Sequence, residues 1–225
     1  MPERPHWFHT FRRTPCGVLL AVQLAALVVY PFLSGSALGR AFIGLLGLVV
    51  LTLAVMAVRM TPALSWISLT LGVPVVVFTV LEAVRPDDGI VVISAVLHAA
   101  FYFYTAYALI KYMFHDNIVT TDELYATGAT FTVVAWAFAY VFVALEILQP
   151  GSFGGFDPDT THGWLEMLYV SVTVLTSVGL SDVVPIGAHA RSLVMLAQIA
   201  GMLYVALVIA RIMTILATRS ARRSG

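Results

Sequence analysis

Long uncharged apolar runs separated by short polar breaks set the layout of this chain. The runs cover about residues 16–33, 38–58, 63–83, 90–114, 128–148 and 188–216. A helix needs about 20 apolar residues to cross a hydrocarbon core, so the pattern predicts six transmembrane helices. The breaks carry turn and breaker residues: Arg59-Met-Thr-Pro62, Arg85-Pro-Asp-Asp-Gly89 and Gln149-Pro-Gly151. Gly72 and Pro74 are expected to kink the third helix. Thr120-Thr-Asp-Glu123 reads as a capping box, so the fifth helix starts in water and enters the membrane near Gly128. One further apolar segment, residues 163–176, is too short to span and lies between two full spans, which suggests a re-entrant helix.

Composition agrees with this layout. The chain has 225 residues, 60% hydrophobic and 11% charged, and its mean hydropathy is +0.94, which is the balance of a polytopic membrane protein. Residues 1–15 carry Arg4, His6, His9, Arg12 and Arg13 ahead of the first apolar run. With the small residues Ser34-Gly-Ser-Ala37, that start also has the form of a cleaved signal peptide. The length of the run fits a span better. Cys16 is the only cysteine, which excludes an intrachain disulfide. Net charge is zero, but its distribution is uneven. Placing both termini inside puts Arg4, Arg12, Arg13, Arg59, Lys111, Arg211, Arg219, Arg222 and Arg223 on the inner side, against Arg40, Arg85 and Arg191 outside. This bias predicts a multi-pass plasma or inner-membrane protein with cytoplasmic termini. Eight of the twelve acids then lie outside, which would raise the local cation concentration. No basic face interleaved with aromatics suits nucleic acid. The basic tail could meet anionic lipid.

The most informative stretch runs from Ser171 to Pro185: Ser-Val-Thr-Val-Leu-Thr-Ser-Val-Gly-Leu-Ser-Asp-Val-Val-Pro. It begins apolar and β-branched, breaks at Gly179, and continues through Ser181, Asp182 and Pro185 into another apolar run. Irregular backbone at membrane depth must be buried in protein or line a water-filled cavity. One such use is an ion filter of backbone carbonyls.

Thr176-Ser-Val-Gly-Leu-Ser-Asp182 resembles the potassium-channel signature, a run of threonines followed by Val-Gly-Tyr-Gly and Asp. Trp164, Tyr169, Ser171, Thr173 and Thr176 resemble that family's pore helix, and Val183-Val184-Pro185 its usual exit. Gly201 stands 22 residues past Gly179, similar to the spacing of the family's inner-helix hinge. The resemblance covers about residues 127–216. It implies an all-α membrane protein with six transmembrane helices, and a re-entrant pore helix and filter loop between helices five and six. It further implies a homotetramer, because a filter of this kind needs four loops around an axis. The expected organisation is a cytoplasmic N-terminus (1–15), a four-helix transmembrane domain (16–114), a cytoplasmic linker (115–127), a pore domain (128–216) and a basic cytoplasmic tail (217–225). The expected ion-binding groups, with K+ held at filter carbonyls only, belong to Ser177, Val178, Gly179, Leu180 and Ser181, with the Val178 side chain packed on the pore helix. Thr176, Asp182, Glu166, Trp164 and Tyr169 are expected to support them, with Glu166 either facing the outer vestibule or pairing with Asp182. No cofactor is implied beyond the permeant ion.

Three departures bear on selectivity. Leu180 replaces the usual aromatic residue, Ser177 the usual Thr, and Ser181 the second glycine, where a Cβ is expected to strain the backbone. These leave a weakly selective monovalent cation channel, passing Na+ as well, as the alternative. A potassium transporter and a non-conducting scaffold are the other rivals. On the sixth helix, steps of three or four from Gly201 reach Val205, Val208 and Ile212, which are candidates for a hydrophobic gate. The fourth helix lacks the regularly spaced arginines of a voltage sensor and carries only His98 and Lys111 in its body and end. His98 is a candidate proton-sensitive group. Motifs for zinc hydrolysis, phosphate loops, serine hydrolysis and paired intramembrane aspartates are missing, so an enzyme is not expected.

Overall fold

A computed structural model describes residues 14–33, 47, 49–50, 52–56, 65–85, 87–115, 120–155 and 163–223, backbone only from 214 onward. The described chain is almost entirely helical. Its elements are α1 (Pro15–Leu33), α2 (Ser65–Val84), α3 (Asp88–Met113), α4 (Thr121–Leu148), β1 (Phe153–Gly154), α5 (Trp164–Leu175), β2 (Val184–Pro185) and α6 (Ala188–Arg223). Five of these helices, α1, α2, α3, α4 and α6, are long and apolar enough to cross a membrane. The second expected span falls largely outside the described residues, which include only helical positions between 47 and 56 there. The N-terminal 13 residues, most of the Gly/Pro/Asp-rich loop before α5, and the side chains of Arg219, Arg222 and Arg223 also lie outside them.

The chain divides into two compact units, residues 1–76 with 104–132, and residues 77–103 with 133–225. In the first unit, the start of α4 meets the start of α1. Thr120 caps α4 through its hydroxyl, which accepts the Glu123 amide at 3.2 Å. The Asp122 carboxylate accepts the Cys16 amide at 3.0 Å and the Tyr112 hydroxyl at 3.2 Å. One acid thus serves an orphan donor in the first turn of α1 and a phenol at the end of α3. Glycines let these segments approach: a Cβ at Gly17 would meet the Tyr125 ring, and one at Gly128 would lie 2.8 Å from Leu20 Cδ2. Thr127, Thr130 and Thr132 return their hydroxyls to carbonyls one turn earlier, which keeps them satisfied among apolar neighbours. Gln23 is fully buried on the same stripe of α1 as Leu19 and Ala26, and among the described residues its amide has no hydrogen-bond partner.

In the second unit α4 buries Ala135, Ala137 and Ala139, and α3 lays Tyr102 and Phe103 against it. Small residues are what allow close helix approach where lipid offers no hydrophobic drive. The helix α5 packs along α6. Among the described side chains of α6, the buried ones form one stripe, Ala190, Val194, Ala197 and Gly201. The rest of that helix exposes Met195, Leu196, Ile199, Met202, Leu203 and Ile209, a surface suited to lipid or protein rather than water.

Candidate functional site

The site is built on α5 and the segment that follows it. With 12 residues, α5 extends only about 18 Å, well short of a bilayer core of about 30 Å. Its buried face is Met167, Leu168, Val170, Ser171, Val174 and Leu175. Ser171 anchors the helix through a 2.8 Å bond from its hydroxyl to the Ala135 carbonyl of α4. Trp164 packs edge-on to Trp136 at 5.3 Å and lies 5.9 Å from Tyr140.

The end of α5 explains the course of the next residues. A helix leaves its last carbonyls without partners. Here the following chain folds back to fill them. The Ser177 amide donates to the Val174 carbonyl, and the Val178 and Gly179 amides both donate to the Thr173 carbonyl, each at 3.0 Å. The Thr176 hydroxyl adds bonds to the Val172 carbonyl at 2.8 Å and the Thr173 carbonyl at 3.2 Å. Two left-handed residues make the fold-back possible: Gly179 at φ +68° and Ser177 at φ +59°, the one non-glycine with positive φ among the described residues.

This arrangement dictates where the carbonyls go. Across a trans planar peptide, the C=O of one residue points opposite to the N–H of the next. Three successive N–H groups are turned into the end of α5, so the carbonyls of Thr176, Ser177 and Val178 are turned away from it. Residues 176–180 are all exposed. The segment therefore presents a row of uncompensated carbonyl dipoles, the chemistry suited to a cation stripped of water.

Beyond Gly179 the pattern changes. Ser181 does not have a positive φ, so the strain expected from its Cβ is absent and Ser177 carries the left-handed conformation instead. The Ser181 hydroxyl accepts the Val183 amide at 3.1 Å, a local turn that suits serine and needs no glycine. Val178 is 59% exposed rather than packed on α5; its backbone amide is turned into the end of that helix, and among the described residues its side chain is left uncovered.

The segment beyond Ser181 is held by a second turn. Gly154 pairs with Val184, and Phe153 with Pro185, in an antiparallel bridge. The Ser152 carbonyl accepts the Ile186 and Gly187 amides at 2.8 and 3.0 Å. Glu146, on the last turns of α4, places one carboxylate oxygen on the Gly151 amide and the other on the Phe153 amide, both at 2.9 Å. From sequence, Glu146 is one of the eight acids placed on the outer side and nothing more. Its position just ahead of Gln149-Pro-Gly151 was the available signal, since an acid before a turn can reach that turn's free amides.

The expected supporting residues separate into two groups. Thr176 joins the fold-back. Gly201 lies directly against the end of α5, where a Cβ would overlap the Leu175 carbonyl oxygen and sit 2.7 Å from its carbonyl carbon. Trp164 and Glu166 lie at the opposite end of α5 from the carbonyl row. Glu166 is exposed in the first turn, where an acid complements the helix dipole. Among the described residues no hydrogen bond joins Glu166 to Asp182, which is also exposed. Tyr169 is half-exposed. Val205, Val208 and Ile212 continue the Gly201 stripe along α6, with Val208 partly buried and the other two exposed. No group of His, Cys, Asp and Glu that could hold a metal ion occurs among the described residues.

A family model described as ion channel matches residues 90–218, more than half of the chain, from α3 through α6. No curated protein and no solved structure matches it. With that match over α5, the carbonyl row and α6, the chain belongs to the ion channel family, of the potassium-channel-like type built on a two-helix pore domain.

Proposed function

We propose that four copies of this chain assemble around one axis and conduct potassium through the backbone carbonyls of the segment from Thr176 to Leu180. The observation that carries this reading is the direction of three peptide groups: the amides of Ser177, Val178 and Gly179 are spent on α5, which leaves the preceding carbonyls free for an ion. One chain supplies one row. Surrounding a dehydrated cation takes a ring of rows, hence fourfold symmetry. The exposed Val178 and Leu180 side chains support this, because a neighbouring copy would cover them. In this reading α5 is the re-entrant pore helix and α6 lines the inner cavity, with Val205, Val208 and Ile212 as its gate. The termini are cytoplasmic and the α2–α3 turn faces outward. Strong voltage sensing is not part of this reading, because the body of α3 carries no arginine.

A second reading, a weakly selective monovalent cation channel, is favoured by one observation. Left-handed backbone recurs at Ser177 and Gly179 and stops before Ser181. Alternating handedness is what turns successive carbonyls to one side, so the ordered row is short.

The test is the reversal potential of purified protein in planar bilayers under a potassium–sodium bi-ionic gradient. A reversal near the potassium equilibrium value supports the first reading. Clear current reversing near zero supports the second. Absence of current from a confirmed tetramer overturns both.

A further inference from the structure

The conduction reading makes no use of a polar group buried in the second unit. His98 of α3 is 7% exposed. Its Nδ1 lies 2.8 Å from the Ser94 carbonyl one turn earlier, which fixes the ring proton on that nitrogen. Nε2 therefore keeps its lone pair and faces the Thr79 hydroxyl of α2 at 3.4 Å. The Ser94 hydroxyl is 3.4 Å from Nδ1 and also interacts with the Glu82 carboxyl of α2. The imidazole face is stacked on Tyr140 of α4, with ring centroids 4.4 Å apart and planes 13° from parallel. Tyr140 in turn lies 5.9 Å from Trp164, the first residue of α5. Tyr102 and Trp136 complete the surroundings, with Tyr102 6.2 Å from the imidazole and 5.7 Å from Trp136. The charged groups beyond them on the same turn, Arg85, Asp87 and Asp88, are exposed.

We propose that His98 is a proton-binding site whose charge state is relayed through Tyr140 to Trp164 and the N-terminal end of α5. The proton adds at Nε2. The imidazolium then donates from both nitrogens, to the Ser94 carbonyl and to Thr79 Oγ1, so the Thr79 hydroxyl must turn its own hydrogen elsewhere. The Glu82 carboxyl is linked to the ring through Ser94. The positive ring is drawn to the face of Tyr140, and Tyr140 cannot move without moving its contact with Trp164. Since α5 positions the carbonyl row, a proton on the side of the α2–α3 turn becomes a control on conduction. The flux arm of the test rests on the conduction reading above, and the spectroscopic arm does not.

Nitrogen NMR of histidine-labelled full-length protein, with the pH lowered from about 8 to below 5, reads the site itself. His98→Gln identifies the resonance by its loss. The expected result is a single-proton titration of His98, with the indole signals of Trp136 and Trp164 moving at the same midpoint. Glu82→Gln, which removes the linked carboxyl without touching the ring, is expected to move that midpoint to lower pH. In liposomes, potassium flux is expected to change severalfold with pH on that side, and H98Q to flatten the profile. An imidazole that does not titrate, or indole signals that ignore its titration, would overturn the proposal. An H98Q protein that keeps the wild-type flux profile would also overturn it, because the effect would then arise elsewhere in the chain. If neither protein conducts at any pH, the conduction reading fails, and the two titrations still decide the site.

Discussion

Gly201→Ala and Gly128→Ala are the same chemical change inside two transmembrane helices, and the structure predicts opposite results. In each case alanine gains about 1 kcal/mol of helix propensity over glycine. What the new methyl meets differs. At Gly128 it would lie 2.8 Å from Leu20 Cδ2, the tip of a flexible side chain that can rotate away. At Gly201 it would meet backbone: the Leu175 carbonyl oxygen, its carbonyl carbon at 2.7 Å and its Cα at 2.8 Å. Backbone cannot rotate aside, so α5 and α6 must separate, and overpacking of that kind costs about 1–3 kcal/mol. The expected outcome is a near-neutral or slightly stabilised G128A and a destabilised G201A. At about 2–4 °C per kcal/mol for a chain of this size, thermal unfolding of the full-length protein in detergent should separate the two variants by several degrees. Leu175 is the residue immediately before Thr176, so G201A is also expected to impair conduction. A purely hinge-like glycine would instead alter gating and leave the melting temperature alone. Equal or higher stability of G201A relative to G128A would refute the close-approach argument.

Other substitutions test neighbouring parts of the structure. Glu146→Ala removes both acceptors of the Gly151 and Phe153 amides; a cost of about 1–3 kcal/mol is expected, with faster amide exchange at residues 151–154 by mass spectrometry. Asp122→Ala strands the Cys16 amide and takes one of two partners from the Tyr112 hydroxyl, and a loss of about 1 kcal/mol or more should appear in the same melting assay. Gln23→Met keeps the volume and removes an amide that is fully buried without a partner among the described residues, so it is expected to raise stability by about 1 kcal/mol or more. Ser177→Val places a β-branched residue at φ +59° and is expected to destabilise by about 1–2 kcal/mol beyond the strain serine already carries. Ser181→Gly relieves no positive φ and is expected to bring no gain in stability.

Much of the fold was legible because lipid leaves a chain few options. Uncharged runs of adequate length must be helices, and the observed α1, α2, α3 and α6 begin within a few residues of the apolar runs. The start of α4 at Thr121 was visible too, since Thr120 and Glu123 form a local signal that needs no tertiary partner. The short α5 was readable from its length and from Gly179 after it. What could not be read is whatever depends on contacts distant in sequence. Gly201 stood out by its spacing from Gly179, but its packing against the Leu175 backbone is a tertiary fact. The stack of His98 on Tyr140 joins residues 42 apart in the chain, and no periodicity encodes such a pairing. Glu146 was visible as an acid but not as a clamp, because its two acceptors matter only once the Gly151 turn has formed. Trp164 was expected beside the filter segment by analogy. A helix of three turns carries it to the other end.

The serines of the carbonyl row show how local chemistry and site geometry divide the work. From sequence, strain belonged at Ser181, where the resemblance expects glycine. The structure instead places a left-handed residue at Ser177, at a cost of about 1–2 kcal/mol. Backbone strain of that order persists only where surrounding bonds over-determine it. Here they do: the Ser177, Val178 and Gly179 amides and the Thr176 hydroxyl all converge on carbonyls at the end of α5, and the Val178 and Gly179 bonds, which lie beyond the Ser177 N–Cα bond, are lost if Ser177 relaxes to negative φ. The strain is what holds the Ser177 and Val178 carbonyls outward. Ser181 has no such duty. With its hydroxyl on the Val183 amide it closes a local turn toward the β2 exit, so the chain can give up glycine there without losing the carbonyls before it. In the proposed conduction reading, the loss of the second glycine therefore shortens the carbonyl row rather than abolishing it, and bears on selectivity rather than on conduction.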